Sequence, residues 1–531
     1  MDAQKFLAEF GHIANAPGGV ARLRELVFSL AYNGKLLSNA ESVEPMHLDR
    51  VADFVMGQAP PGNECNTTGE GTIFVKTGEF GELFPIVREW TTRPLKRAKQ
   101  GDVLICVVGA TVGKLNLAID CAIGRSVAAI RPRCGLMTKY LYFMLMPFTL
   151  RLRSGSRGSA QGVIGKAELS AIKLRVPTGE EQARIVAKVD ELMALCDQLE
   201  TQQQARRKLQ NGLRLSTLQA LASAQSPQEL QDGWQRLQAN FGYLFSEPGD
   251  VDDVVAELQN LAVRGLLAEV SATSPDLARV KADCAQLRAR YIDNGLMRRQ
   301  KLVGVAECQT SYPDHWMITA FDEVAVVIGG VTKGRDLRGK QVITCPYLAV
   351  ANVQRGHFKL DGLKSIEIAA DELEKYQVHE GDLLITEGGD WDKVGRTAIW
   401  RGGVANCLHQ NHVFKARVPS EHLLNEWVEL VFNSCVGRDY FGGASKQTTN
   451  LASINMTQLR SFPLPVPPLE EQKRILAVLT DLTARCTEWR QQLERKQALS
   501  ALFSSTAVAA FTGIASESQE GAPVMAVQTD C

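Results

Sequence analysis

The stretches PTGEEQARIVAKVDELMALCDQLE, residues 177–200, and PPLEEQKRILAVLTDLTARCTEWRQQLE, residues 467–494, are two copies of one motif. A constant shift superposes their proline, their Glu-Glu-Gln triplet and the Arg-Ile pair that follows it. Each copy opens with proline and then acidic residues, which is typical of a helix N-terminus because the helix dipole favours negative charge there. The motif therefore predicts two long helices at equivalent positions of the chain.

Apolar residues recur along both copies with alternating four- and three-residue spacing, the pattern of helices that pack against a partner helix. This predicted seam consists of Ile185, Val189, Leu192, Cys196 and Leu199 in the first copy and Ile475, Leu479, Leu482, Cys486 and Trp489 in the second. We expect the two helices to pack on each other.

A second repeat precedes the first. Residues 8–38 align without a gap on residues 239–269, and each copy predicts a short helix, a Pro-Gly turn and an amphipathic helix that glycine interrupts near its end. The chain is therefore two halves, each ordered as helices, a globular segment and a long helix. A repeat of this length is typical of duplicated domains and not of a solenoid.

The two globular segments have short β-branched and aromatic runs separated by glycine, such as GDVLICVVG and GDLLITEGG, which predict irregular sheets with few helices. Within residues 270–313 we expect a linker. The predicted organisation is an N-terminal helical region at 1–44, globular segments at 45–177 and 314–467, a central helical region and linker at 178–313, a long helix at 468–513 and a disordered tail at 514–531.

The composition bounds the class of protein. A chain of 531 residues is too long for one core, and 45% hydrophobic with 22% charged residues is ordinary for a globular protein. No apolar run is long enough to span a membrane, and the N-terminus lacks the pattern of a secretory signal. The 12 cysteines form no C-x-x-C pair. We therefore expect a cytoplasmic protein with buried free thiols and no membrane partner.

Charge is unevenly distributed although the net charge is zero. Basic residues outnumber acidic ones between residues 131 and 175 and again between 333 and 364, whereas acidic residues concentrate in the helical parts. Lys and Arg neutralise phosphates, so the globular segments are candidates for DNA binding and the helices for protein binding. The alternative is that these clusters are ordinary solvated basic faces.

Catalytic motifs are not found in the sequence. VGATVGKL, residues 108–115, lacks the spacing of a phosphate-binding loop, and Ser156 lacks the glycine spacing of a nucleophile elbow. Cys407, His409 and His412 have no second pair of metal ligands, so we expect no metal site. No Asn-Pro-Pro-Tyr or Asn-Pro-Pro-Phe tetrapeptide of a base-flipping adenine methyltransferase is present. These observations favour a binding subunit over an enzyme.

The second segment contains PYLAVANVQRG, GDLLITEGGDWDKVGR, HQNHVFKAR and SKQTTNLASINMTQL, followed by LPVPPLEEQKRI, and the first contains GDVLICVVGATVGK and GSAQGVIGKAELSAIKLRVP. These motifs resemble the specificity subunit of type I restriction-modification enzymes, closely in the second segment and more loosely in the first. The resemblance covers nearly the whole chain. It departs at residues 77–83, where TGEFGEL stands in place of ANVQRGHF, so contact residues cannot be transferred to the first segment.

This resemblance implies an α+β protein in which two mixed α/β target-recognition domains are separated by a pair of long antiparallel coiled-coil helices, with a pseudo-two-fold internal repeat. Each domain would read one half of an interrupted double-stranded DNA target. Two methyltransferase subunits would dock on the helices, and the restriction and translocase subunits would bind through them. S-adenosylmethionine, ATP and Mg would belong to those partners, and this chain would be non-catalytic and hold no cofactor.

Arginine pairs bidentately with guanine or phosphate, and amide side chains pair bidentately with adenine. On this basis the residues predicted to contact DNA are Lys76, Arg93, Arg97, Lys114, Arg151, Arg153, Arg157, Gln161, Lys333, Arg335, Arg338, Arg355, Arg396, His409, Gln410, Asn411, His412, Lys446, Gln447 and Asn450. The alternative for each is a polar residue that caps a turn or faces solvent. For the whole chain, the alternative function is a scaffold that binds DNA without reading its sequence.

Overall fold

The structure, a computed structural model, describes residues 3–109, 111–155, 163–223, 227–268, 273–308, 310–389, 393–444, 446–448 and 451–512. The chain forms two compact units: unit 1 comprises Met1–Leu209 and Arg495–Cys531, and unit 2 comprises Gln210–Glu494. The tail predicted at 514–531 lies outside the described residues.

Unit 1 begins with two helices, continues into a region of short strands and ends in a long helix. The elements in chain order are α1 (Ala3–Ala14), α2 (Gly19–Tyr32), β1 (Met46–His47), β2 (Ala52–Met56), β3 (Cys65–Asn66), β4 (Thr72–Val75), β5 (Trp90–Thr91), β6 (Arg97–Ala98), β7 (Val103–Cys106), β8 (Leu115–Leu117), β9 (Cys121–Ile123), β10 (Val127–Pro132), α3 (Thr138–Gly155), α4 (Lys166–Ser170), β11 (Lys173–Leu174) and α5 (Gly179–Ala222).

The strands of unit 1 form a four-stranded sheet in the order β2-β10-β7-β8, a five-stranded sheet in the order β3-β5-β4-β9-β6, and the pair β1-β11. Paired strands are antiparallel except β4 and β9, which are parallel. All four residues of β7 are buried, because Val103 and Ile105 pack into the helical core while Leu104 and Cys106 pack into a second core with residues of the five-stranded sheet. The apolar run VLIC is therefore a strand buried on both faces.

Unit 2 has a longer helical region before its strands. Its elements are α6 (Pro227–Leu244), α7 (Asp250–Val263), α8 (Leu277–Asp293), β12 (Met317–Ala320), α9 (Phe321–Val324), β13 (Val326–Ile328), β14 (Val342–Leu348), β15 (Lys364–Ala369), α10 (Leu373–Tyr376), β16 (Leu383–Thr386), β17 (Gly388–Gly389), β18 (Thr397–Ile399), β19 (Leu408–His409), β20 (Val413–Arg417), α11 (Asn425–Asn433), α12 (Cys435–Ala444), β21 (Lys446–Thr448), β22 (Leu451–Ser453), α13 (Met456–Arg460), β23 (Pro463–Val466) and α14 (Leu469–Thr512).

The sheets of unit 2 follow the same plan as those of unit 1. The order β13-β20-β16-β18 corresponds to β2-β10-β7-β8, and the pair β12-β23 corresponds to β1-β11. A three-stranded sheet, β15-β14-β19, again contains one parallel pair, β14 with β19. The side chains of β16 also divide between two cores, with Leu383 and Ile385 on one side and Leu384 on the other.

An aspartate–arginine pair occupies the same place in both four-stranded sheets. In unit 1, Arg131 donates from Nε and Nη2 to the two carboxylate oxygens of Asp102 over 2.9 and 2.8 Å. In unit 2, Arg417 donates in the same way to Asp382 over 2.6 and 2.7 Å. Both aspartates are almost fully buried, so the bidentate pairing compensates for the loss of their hydration.

The Glu-Glu-Gln triplet fastens each long helix to its own unit through a buried glutamine. Gln472 accepts from the backbone N–H of Leu424 over 2.9 Å and donates to the carbonyls of Pro467 and His422 over 2.9 and 3.1 Å. In unit 1, Gln182 accepts from the N–H of Met137 over 2.8 Å and donates to the carbonyl of Pro177 over 2.9 Å. We call these two sets of contacts the glutamine clamps.

The glutamate before each clamp is also buried and accepts hydrogen bonds from a segment distant in sequence. Both carboxylate oxygens of Glu181 accept from the backbone N–H of Glu41. Those of Glu471 contact Trp316 Nε1 at 3.0 Å and His315 Nε2 at 2.8 Å. The motif that predicts a helix start therefore also joins that helix to distant parts of the chain, the end of the N-terminal region in unit 1 and the globular segment in unit 2.

The predicted seam residues pack within their own units. Ile185, Val189, Leu192 and Cys196 belong to the core of unit 1, with Leu199 packed against it, and Ile475 and Leu479 belong to the core of unit 2. Cys486 and Trp489 pack against α7, and Leu482 is half-buried. The packing of the two helices on each other stays a prediction, because contacts inside each unit already account for the buried side chains.

Each long helix is divided between the units. Residues 179–209 of α5 belong to unit 1 and residues 210–222 to unit 2. In unit 2, Arg214 of this helix is buried and donates from Nη1 to Asp250 over 2.6 Å and from Nε to Asp253 over 2.9 Å. Conversely, the end of α14 belongs to unit 1, where Val508 joins the core.

The linker predicted within residues 270–313 is corrected in part, because α8 occupies its centre. Val280, Cys284, Leu287 and Tyr291 recur on one face of this helix and are buried against unit 2. These four residues have helical spacing in the sequence, but most residues between them are polar, so the apolar pattern of this helix is weak.

Candidate nucleic-acid interface

In unit 2, the connection between β14 and β15 brings several of the predicted contact residues together. Val353 and Phe358 form an isolated antiparallel bridge, so the residues between them make a tight loop. Arg396 reaches this loop and donates from Nη1 to Oε1 of Gln354 over 2.8 Å. Arg355 lies in the same loop, half-buried, with its Nη1 3.4 Å from Oδ1 of Asn433. Two predicted arginines and one unpredicted amide therefore share one surface.

The segment between β19 and β20 presents a second group. Gln410 donates its backbone N–H to Leu348 over 2.9 Å and Asn411 donates its own to Val331 over 3.0 Å, which fixes the turn. Gly330 lies so close that a Cβ there would be 2.2 Å from the Gln410 carbonyl oxygen. The side chains of Gln410 and Asn411 are half-buried and that of His412 is exposed, with its Nδ1 2.9 Å from a Glu387 carboxylate oxygen.

His409 belongs to the core and not to the interface, which corrects its prediction as a DNA contact. Its side chain is fully buried, and Nδ1 lies 2.7 Å from the carbonyl oxygen of Val413. Burial lowers the pKa of the imidazole to about 3, with the nearby ammonium of Lys415 acting in the same direction. A neutral, buried ring cannot reach a base edge.

The loop before β14 contains the predicted contacts Lys333, Arg335 and Arg338, and only part of their charge is available to bind DNA. Arg335 donates from Nη1 to both carboxylate oxygens of Glu372 over 2.9 Å, and its Nη2 is buried. Both ends of the guanidinium fork are occupied or enclosed, although the side chain keeps 24% of its surface exposed, and the contact of Arg335 with guanine or phosphate stays a prediction. Arg338, by contrast, is 94% exposed, and the Lys333 ammonium lies 5.1 Å from the ring centre of Tyr347.

The predicted residues of unit 1 differ in their environment. Arg93 and Arg97 are exposed. Lys76 pairs with Glu89, and the hydrogen bond to that carboxylate raises the pKa of the Lys76 ammonium. Lys114 is half-buried, and its Nζ donates to the carbonyl of Phe80 over 2.6 Å. Its charge therefore lies at the base of the loop that follows Phe80.

For seven of the predicted contact residues, the structure describes either no atoms or no side chain. Arg157, Gln161 and Asn450 lie outside the described residues. Arg151 and Arg153 lie in α3 and Lys446 and Gln447 in β21, but their side chains are not among those that the structure describes. These seven residues stay predictions.

Other cations of the region between residues 131 and 175 hold the fold together. Besides Arg131, Lys139 pairs with Asp190 of α5 at 2.6 Å, and Arg175 donates to the carbonyl of Glu41. The charges of Arg131 and Lys139 are therefore partly neutralised by acids distant in the sequence, whereas Arg175 contacts a backbone carbonyl. Local charge counts in the sequence do not include such distant partners.

Among the residues that the structure describes, no group of three or more His, Cys, Asp or Glu side chains is arranged to hold a metal ion. Within the same ranges, no helix combines the length and apolar character needed to cross a membrane.

Comparison with known proteins identifies the family. The sequence profile described as "Type I restriction modification DNA specificity domain" matches residues 40–206 and 313–498. The chain therefore belongs to this family, as its motifs predicted.

Individual relatives agree with the profile. The chain is 24% identical over 335 residues to the type I restriction enzyme EcoEI specificity subunit of Escherichia coli, which covers 60% of this chain and 55% of the relative. It is 29% identical over 184 residues to the putative type I restriction enzyme MjaX specificity subunit of Methanocaldococcus jannaschii, and this match covers 34% of this chain and 43% of the relative. The chain spans about half the length of the curated relatives it matches.

Among solved structures, the crystal structure of the HsdS subunit from Thermoanaerobacter tengcongensis is similar in sequence. Identity is 32%, the match covers 38% of this chain and 52% of that one, and the TM-score is 0.30.

Proposed function

We propose that this chain is the DNA-sequence-specificity subunit of a type I restriction-modification complex and that each unit reads one half of an interrupted double-stranded target. The observation that carries the proposal is the shared plan of the two units. Their four-stranded sheets have corresponding strand orders, and each has a tight loop closed by a single bridge, Phe80 with Pro85 and Val353 with Phe358. The side chains on these loops differ, as two readers of different half-sites require.

The chemistry of unit 2 supports base reading. Gln354, Arg355 and Arg396 present amide and guanidinium groups on one loop surface, and Gln410 and Asn411 present amides on another. Arginine recognises guanine and amides recognise adenine in the major groove. Exposed Arg338 is suited to phosphate, which contributes affinity independent of sequence.

The long helices are proposed to dock the methyltransferase subunits and, through them, the restriction and translocase subunits. Both helices expose apolar side chains at equivalent positions, with Leu209 and Leu499 exposed by 74% and 66% and Leu213 and Phe503 by 50% and 62%. Exposed apolar side chains at the spacing of successive helical turns are suited to a partner helix. S-adenosylmethionine, ATP and Mg would be held by those partners, and this chain would contribute recognition without catalysis.

The spacing of the two half-sites is proposed to follow from helix length. Each long helix has 44 residues, which corresponds to about 66 Å at ~1.5 Å per residue. This length is about two turns of duplex DNA, at ~34 Å per turn. The gap in the target would therefore be set by the helices.

Methylome sequencing tests the proposal against the alternative of a scaffold that does not read sequence. Cells that express this chain with its methyltransferase subunit should carry one interrupted methylated motif, and the motif should disappear when the gene for this chain is deleted. A methylome that does not change on deletion would leave the scaffold as the better account.

A further inference from the structure

The loop at residues 81–87 of unit 1 exposes apolar side chains from a rigid backbone. Leu83, Phe84, Ile86 and Val87 are exposed by 37, 49, 48 and 40%. None of the four belongs to the two core clusters of unit 1, and a contiguous exposed apolar group of this kind indicates a binding surface.

The backbone of this loop is held from three directions. Ile86 donates its N–H to the Glu79 carbonyl over 2.7 Å, and the Leu83 carbonyl accepts from Leu117 over 2.8 Å. Asn116, fully buried, accepts from the N–H of Gly81 over 3.1 Å and donates to its carbonyl over 3.2 Å. The loop is therefore preorganised, and its apolar side chains are displayed and not collapsed onto the sheet.

The position of the loop points to DNA as the occupant. It connects β4 and β5, as the loop with Gln354 and Arg355 connects β14 and β15, and β4 and β14 each have a parallel strand on their other side. The closing bridges place Phe84 where unit 2 has His357. Exposed Arg88 follows the loop and the Lys114 ammonium is fixed at its base, so positive charge flanks the apolar side chains.

The one methyl group that the four unmodified bases present in the major groove is the C5-methyl of thymine. A carboxylate at a base edge accepts from the cytosine amino group, so exposed Glu82 in the same loop is compatible with a base contact. We propose that unit 1 reads its half-site in part through the thymine methyl group, with Phe84 as the contacting side chain. This inference rests on the proposed function and names the feature of the half-site that unit 1 recognises.

The test uses the complex of this chain with its methyltransferase subunits and synthetic duplexes carrying the motif found by methylome sequencing. Each thymine is replaced in turn by deoxyuridine, which removes only the methyl group, and Kd is measured. For the wild type, at least one replacement in one half-site should raise Kd about fourfold, the equivalent of one buried methyl group. The same replacement should leave Kd unchanged in Phe84→Ala.

Two further variants act as controls. Phe84→Thr, which retains a methyl group, should keep part of the discrimination, and His357→Ala in unit 2 should leave it intact. The inference is overturned if both half-sites tolerate every deoxyuridine, if the effect persists in Phe84→Ala, or if Phe84→Ala weakens only the binding of the methyltransferase subunits. A wild-type complex that binds all sequences equally would instead refute the proposed function.

Discussion

The glutamine clamp of unit 2 leads to a quantitative prediction about how a long helix is attached. In Gln472→Met the side chain keeps its approximate volume but loses the carbonyl oxygen and the NH2 of the amide. Three backbone partners, one buried and two half-buried, then lose their hydrogen bonds: the carbonyl of Pro467, the N–H of Leu424 and the carbonyl of His422. The matched control is Gln491→Met, which makes the same substitution at an exposed position of the same helix.

The expected magnitude follows from these three contacts. A hydrogen bond contributes about 1 kcal/mol net, and a buried group left without a partner costs about 1–3 kcal/mol. The variant should therefore lose about 3 kcal/mol or somewhat more of the free energy of unfolding of unit 2. The exposed control should change it by no more than about 0.5 kcal/mol.

Two measurements check this expectation. Urea unfolding gives the change in stability, and hydrogen exchange at the Leu424 amide reports on the clamp directly. The amide should lose protection in Gln472→Met and keep it in Gln491→Met. If protection at Leu424 and the unfolding midpoint both matched the wild type, the clamp would not fasten the helix and the reasoning would be wrong.

Four other predictions concern charge and spacing. Asp382→Ala removes the buried partner of Arg417 and should lower the free energy of unfolding, measured in urea, by about 3–5 kcal/mol. Asp361→Ala, at an exposed position, should leave that free energy almost unchanged. Burial lowers the pKa of His409 from its ordinary 6.5 to about 3, so between these pH values only the unfolded state binds a proton. The free energy of unfolding should therefore fall by about 1.4 kcal/mol for each pH unit of acidification, and His409→Asn should remove that contribution. Arg338→Ala should weaken DNA binding at all sequences and reduce the salt dependence of the binding constant by about one phosphate contact. Arg485→Ala on α14 should do neither. If Arg338→Ala and the wild type had equal salt slopes, Arg338 would not contact a phosphate. Insertion of one heptad into each long helix, about 10 Å, should lengthen the gap in the methylated motif by about three base pairs, and an unchanged gap would mean that the helices do not set it.

Local sequence signals predicted the elements better than the site. The Glu-Glu-Gln motif marks the start of α5 and α14 because proline and acidic residues favour a helix N-terminus. The runs VLIC and LLIT are strands buried on both faces, because apolar residues there leave no polar side for solvent.

The site was harder to predict because its chemistry depends on partners distant in sequence. The pairing of Arg335 with Glu372 and of Lys139 with Asp190 is decided by the tertiary fold, and it removes charge that the sequence counts as available. His409 is the last residue of the short strand β19 and precedes polar residues, so its neighbours in sequence do not decide whether its side chain is buried or exposed. The aligned stretches TGEFGEL and ANVQRGHF did carry the signal for the two loops, but only their closing bridges show that the loops are equivalent.

The division of α14 between the units has a consequence for synthesis and folding. Unit 2 is one continuous stretch, so it can close as soon as residue 494 has left the ribosome. Unit 1 requires residues from both Met1–Leu209 and the segment after residue 494, and Val508 joins the same core as Phe6 and Ile13 of α1. Contacts so distant in sequence form slowly, because a long loop must close before they contribute. Most members of this core precede residue 197, so the first helices can pack early on their own half, and only the contribution of Val508 is added at the end of synthesis.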